Sequence, residues 1–286
     1  MTSCAGELAT ANVNSRRDQR PGRRSSPDEL TASHLRPSPS YDGHMDDASA
    51  RLDPARLDEL WDFDDPAGSA ERFRDEPAEP GSLAAGELAT QRARALGLAG
   101  RTDEALAVLD GLESGHPVIS VRSALERGRL ANSAGDAAAA VPHLEQAFDE
   151  AVVAGEEFLA IDAAHMLAIA DPDRAGEWAS RGLELAASAA DPRARRWGIA
   201  LHNNLGWLHF DADRLQEALT EFELAAAAAD AHGTDDQRQV AQWAIARCYR
   251  ALGRTADAIR IQEVLAVQRP DDRYVQEELE ALRHQP

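Results

Sequence analysis

Residues Ile199–Asp230 read IALHNNLGWLHFDADRLQEALTEFELAAAAAD. Apolar residues fall at Leu201, Leu205 and Leu208, and again at Leu215, Ala218, Leu219, Phe222 and Ala225. These are the i, i+3, i+4, i+7 spacings of a helix with one buried face. Between the two runs lies Asp211–Arg214, a short polar turn. The stretch is therefore read as two amphipathic helices folded against each other. The pattern recurs along the chain, which makes the protein a helical repeat array, an architecture whose usual role is to bind other proteins.

Counted from Ile199 as position 1, Leu205 and Gly206 stand at 7 and 8, Ala218 at 20, Phe222 at 24 and Ala225 at 27. These residues resemble the tetratricopeptide repeat family. His209 stands at 11, where the family favours a large aromatic, and Asp230 replaces its proline at 32. The HNNLG run and the extra residues before the next repeat resemble the longer repeat of kinesin light chains. The resemblance implies an all-α fold, a right-handed superhelical solenoid of antiparallel helix pairs. Independently of the name, small residues at 8 and 20 let two helices approach closely while larger ones at 7, 11 and 24 fill the space.

Further starts fall near Gly86, Val121, Glu156 and Gln239, so successive starts differ by 35, 35, 43 and 40 residues. The seam is Ala93, Ala105 and Leu109 in the first repeat and Gly128, Ala140, Leu144 and Ala147 in the second. In the third it is Ala163, Ala175, Ala179 and Gly182, the last two undersized, with Trp178 expected to supply the missing volume. The fifth has Ala246, Tyr249 and Ala258, but Gln262 at 24 departs from the pattern. Thr102 and Thr255 are expected as N-caps of second helices, Pro142 early in its helix, and the fourth repeat's first helix to run from about Ala194 through Phe210. Arg273–His284, rich in Glu and Arg, is expected to close the open end.

Upstream, residues 1–44 lack helical or strand period and are read as a disordered leader, one that could precede a true start at Met45. Six arginines against five acids make them slightly basic, so the rest of the chain carries −21 of a total of −20. Residues 45–82 are read as an N-terminal helical pair and linker, with Asp53-Pro54 and Asp65-Pro66 each placing an acid cap before a proline at the first helical position. The cluster Asp62, Asp64, Asp65 fits capping better than metal binding. Residues 83–286 are read as a solenoid of about five repeats with a C-terminal capping helix.

Composition narrows function. All 30 basic residues are arginine, and aromatics are only 5%; with the abundant alanine this points to a GC-rich bacterial genome. A chain charged −20 is repelled by nucleic acid and anionic membranes. The two cysteines, Cys4 and Cys248, imply no disulfide framework, no apolar run is long enough to span a bilayer, and no signal peptide is visible; a cytoplasmic protein fits. There is no phosphate loop, G-x-S-x-G, C-x-x-C or H-E-x-x-H, so no enzyme, cofactor or metal is expected. His202 and His209, seven residues apart on one helix, stand about 10 Å apart and cannot share a zinc. His209 is read as a packing histidine and Cys248 as a small buried hydrophobe.

What remains is surface. Position 9 of a first helix points away from the packing seam, toward the concave groove of known tetratricopeptide arrays. It holds Arg94, Arg129, Trp207 and Arg247 in repeats one, two, four and five. Asn204, at 6, is a residue the family uses to hold a ligand backbone, and Trp243 stands at 5. Arg94, Arg129, Asn204, Trp207, Trp243 and Arg247 are the candidate partner-binding residues, suited to a protein or peptide with an acidic or C-terminal segment. For the two tryptophans, ligand anchoring and gap filling between repeats are both open. The expected role is a non-catalytic interaction scaffold; the alternative is a regulatory sensor responding to a peptide or small molecule.

Overall fold

The computed structural model describes residues 51–112 and 115–284, so the leader reading for 1–44 and Cys4 lie outside the described residues. The chain divides into two compact units at Glu113 and Ser114, and each is described by itself. Every regular element among the described residues is helical.

The first unit holds α1 (Pro54–Leu60), α2 (Pro66–Asp75), α3 (Leu83–Leu98) and α4 (Thr102–Asp110). Both Asp-Pro pairs act as the sequence implies: Asp53 accepts from the Ala55 N–H and Asp65 from the Gly68 N–H, each at 2.9 Å, with proline first in the helix. Consecutive helices pack in succession. Trp61 stacks on Phe63 at 4.7 Å, meets Phe73 edge-on at 5.1 Å and donates its indole N–H to Gln91 at 2.9 Å.

In the second unit, α5 (Pro117–Ser133) pairs with α6 (Ala137–Ala154), α7 (Glu157–Ala170) with α8 (Ala175–Ser188), α10 (Trp197–Asp211) with α11 (Leu215–His232) and α12 (Asp235–Ala251) with α13 (Thr255–Gln268). A short α9 (Pro192–Arg195) precedes α10, and α14 (Arg273–Arg283) ends the row. The seams follow the expected register. Phe222 and Leu144 are fully buried. A Cβ on Gly206 would lie 2.4 Å from the Phe222 ring, and one on Gly128 would lie 2.5 Å from Leu144. Glycine therefore lets the helices cross closely at both points, since any side chain there would force the facing Phe222 or Leu144 to move.

Elsewhere local geometry departs from expectation. The undersized third seam is filled by Leu201 from the following pair, which a Cβ on Gly182 would meet at 2.9 Å. Trp178 packs on Phe148 instead, rings 5.5 Å apart. The long first helix of the fourth repeat is broken at Arg196 into α9 and α10, α9 being capped by Asp191. Pro142 stands in the second turn of α6, inside the helix. Thr102 and Thr255 are first helical residues, not caps. The chain leaves Gly100 and Gly253 with φ of +74° and +73°, which delivers Arg101 and Arg254 to the cap position. Those arginines bond Glu104 and Asp257 three residues on, at 2.7 and 2.8 Å. Asp213 takes the same left-handed conformation, φ +58°, in the fourth repeat; aspartate tolerates it better than most side chains.

Candidate functional site

In the second unit the first helices of successive pairs also touch one another: α5 meets α7, α7 meets α10, α10 meets α12 and α12 meets α14. The second helices α6, α8, α11 and α13 make no comparable contacts among themselves. First helices thus form the closer layer, and their free side is the inner face of the unit.

Arg129 lies on α5 with its side chain only 14% exposed. Its Nη2 donates to Asp162 on α7 at 2.5 Å and its Nε to Glu126 at 3.3 Å. Both carboxylates are buried. Burial works to lower the pKa of the guanidinium, but Asp162 and then Glu126 outweigh it, and the net direction is upward. Arg247 on α12 repeats the arrangement with Glu278 on α14, at 3.0 Å. Arg250, one turn later, bonds the same buried carboxylate. Arg247 is 28% exposed and also lies over the Phe210 and Trp243 rings, 5.9 and 6.0 Å from their centroids.

Between these pairs, the Asn204 amide nitrogen stands 3.1 Å from Nε2 of buried His165 on α7. Trp207 and Trp243 are 6% and 5% exposed. Trp207 meets Phe222 at 4.9 Å, Phe210 at 5.3 Å and Trp243 at 6.0 Å, and Trp243 donates its N–H to the Tyr274 carbonyl at 3.2 Å. Both indoles bridge one helix pair to the next, so of the two open roles the geometry favours gap filling. Arg94 belongs to the first unit, half-buried, 5.8 Å above the Trp61 ring.

The structure therefore brings Arg129, Asn204, Trp207, Trp243 and Arg247 onto one layer, but it meets Arg129 and Arg247 with the protein's own carboxylates. Glu126, Asp162 and Glu278 are the residues that reading single helices missed. A signal existed: Asp162 occupies packing position 7 of the third repeat, and Glu278 interrupts the apolar stripe Val275, Leu279, Leu282.

No nucleophile or metal constellation accompanies them among the described residues. Cys248 is fully buried, its Sγ 3.2 Å from the Leu215 carbonyl, and burial, with a lesser contribution from Glu223, pushes the thiol up to about 11. His209 is half-buried rather than packed in the core, because its Nδ1 accepts from Arg214 at 3.0 Å at the edge of the turn. Among the described residues no group of His, Cys, Asp or Glu has the arrangement to hold a metal ion, and no helix is long and apolar enough to cross a membrane.

No family model and no curated protein matches the chain. Solved structures do. A point variant of a Podosopora anserina chain of nearly identical TPR-like repeats, assigned as a kinesin light chain, is 20% identical with a TM-score of 0.49, covering 68% of this chain and 96% of that one. A second structure of that protein gives 20% identity and a TM-score of 0.48, covering 70% and 97%. The APC/C hetero-tetramer Cut9–Hcn1 is 15% identical with a TM-score of 0.34, covering 80% and 48%. The repeat register rests on the seam contacts of Gly128 and Gly206 rather than on these likenesses. By the succession of its helix pairs and the packing of those seams, the chain has a fold of the tetratricopeptide type.

Proposed function

We propose that the chain is a non-catalytic interaction scaffold whose second unit presents its inner face to a segment of a protein partner. The observation that carries this reading is the cross-linking of that face. Arg129 to Asp162, Asn204 to His165, and Arg247 with Arg250 to Glu278 each tie one first helix to the next. A surface so fixed before binding loses little further side-chain freedom when a ligand arrives.

The same pairing shapes the choice of ligand. An acidic or C-terminal segment gains little from Arg129, whose charge is already matched, and more from Arg247, whose side chain is twice as exposed. Trp207 and Trp243 support that surface from beneath. The reading is tested by affinity purification from the native cell with the wild-type protein and with Asn204→Ala. A stoichiometric protein partner recovered by the first and depleted from the second, at equal melting temperature, is the expected outcome. Equal recovery by both removes the inner face from consideration.

A further inference from the structure

A second surface lies along the first half of α12, toward α11 and α13. Helices α11 and α13 both pack against α12 but make no comparable contact with each other. The gap between them is a cleft of about 700 Å³, its rim at Asp230, its floor formed by Gln239 and Gln242 of α12, and its far wall by Ile261, Val264 and Gln268 of α13. That volume is in the range of clefts that take a ligand. Val264 is 54% exposed and Val267, one turn on, 84% exposed. Two valines left in water beside an open cleft form an apolar edge that the fold itself does not cover.

Three amides, Gln239, Gln242 and Gln268, stand in the lining beside Asp230, Asp235, Arg238 and Arg260. Gln239 donates to Gln268 across the cleft at 3.4 Å, and Gln242 lies one turn along α12. Primary amides both donate and accept, which suits an extended backbone whose N–H and C=O groups are free; a helix has none to offer. Charge sets the rest. Arg238 is engaged by Asp235 and by the Ala229 and Gly233 carbonyls, and Arg260 by Asp257. Asp230 is exposed and has no ion-pair partner among the described residues. The whole chain carries −20, so its field draws cationic segments to this rim.

We propose that the cleft between α11 and α13 is a second docking site, separate from the inner face, and that its occupant is an extended protein segment with aliphatic side chains flanked by lysine or arginine. The test is a phage-displayed random peptide library selected against the full chain, against Val264→Asp and against Asp230→Arg, with circular dichroism to verify that both variants keep their helices. Selected peptides are expected to pair aliphatic residues with flanking basic ones. They should lose binding at least tenfold to Val264→Asp and weaken on Asp230→Arg as salt would weaken them. Peptides taken by the inner face persist in both variants and are thereby separated. Enrichment of acidic peptides, enrichment indifferent to Val264→Asp, or no enrichment overturns the proposal. So does light scattering that finds a dimer converted to monomer by Val264→Asp, which assigns the cleft to a second copy of the chain.

Discussion

Replacing Arg129 by methionine removes the cation that faces two buried carboxylates. Glu126 and Asp162 are 4% and 2% exposed, and Arg129 bonds both. Methionine keeps most of the side-chain volume, so the effect isolates the charge. Breaking a buried pair from one side costs about 3–5 kcal/mol, because the partner charge stays buried with that compensation lost. For a unit of this size that corresponds to a fall in melting temperature on the order of ten degrees. The assay is urea unfolding followed by far-ultraviolet circular dichroism, with Asp162→Leu measured beside it and the two combined with Glu126→Leu in a triple variant. Each single substitution should destabilise; the triple, which removes all three of these charges, should lie near the wild type or above it. A loss below about 1 kcal/mol for Arg129→Met refutes the reasoning, since it would mean that Arg129 is solvated like a surface arginine.

Other expectations follow from single sites. Gly206→Ala should cost about 1–3 kcal/mol by driving its methyl into the Phe222 ring, and Phe222→Leu in the same chain should recover part of the loss; unfolding midpoints decide. Gln262 is fully buried and neither amide atom has a hydrogen-bond partner among the described residues, so Gln262→Leu should raise stability by about 1–3 kcal/mol, and a lower midpoint contradicts this. The Cys248 thiol sits near 11 rather than its ordinary 9.0. In a Cys4→Ser background it should react with iodoacetamide far more slowly than the unfolded chain at neutral pH. An acid whose pKa is raised by folding stabilises the native state below its unfolded pKa, and that stability is lost as pH rises from about 9 through about 11. Cys248→Ala should flatten that part of the stability profile.

Residue spacing alone carried the helices and their register. Gly206 against Phe222 and Gly128 against Leu144 are legible because a glycine facing a large residue at fixed spacing has few other physical readings. Glycine at position 15 likewise marks a left-handed turn, and Asp213 follows the same conformation where glycine is replaced. The break at Arg196 was not legible, since neither proline nor glycine stands at the junction itself. Nor was the balance of the inner face. A single helix shows which way Arg129 points, but its counter-charge, Asp162, lies 33 residues on and becomes a neighbour only when two helix pairs stack. The tryptophans escaped for the same reason: Trp207 touches Phe222 of its own seam but also reaches Trp243 of the next pair, and Trp243 reaches Tyr274.

Whether a protein partner sits on the inner face of the second unit is open to direct measurement. A benzophenone-bearing residue placed at Asn203, half-buried on α10 beside Asn204, reports this when irradiated in the native cell. The same residue at Val153, 90% exposed on α6, serves as the outer control. The predicted result is one defined protein adduct, identified by mass spectrometry, from Asn203 and none from Val153. Adducts of equal yield from both positions, or none from Asn203, would contradict an inner-face partner.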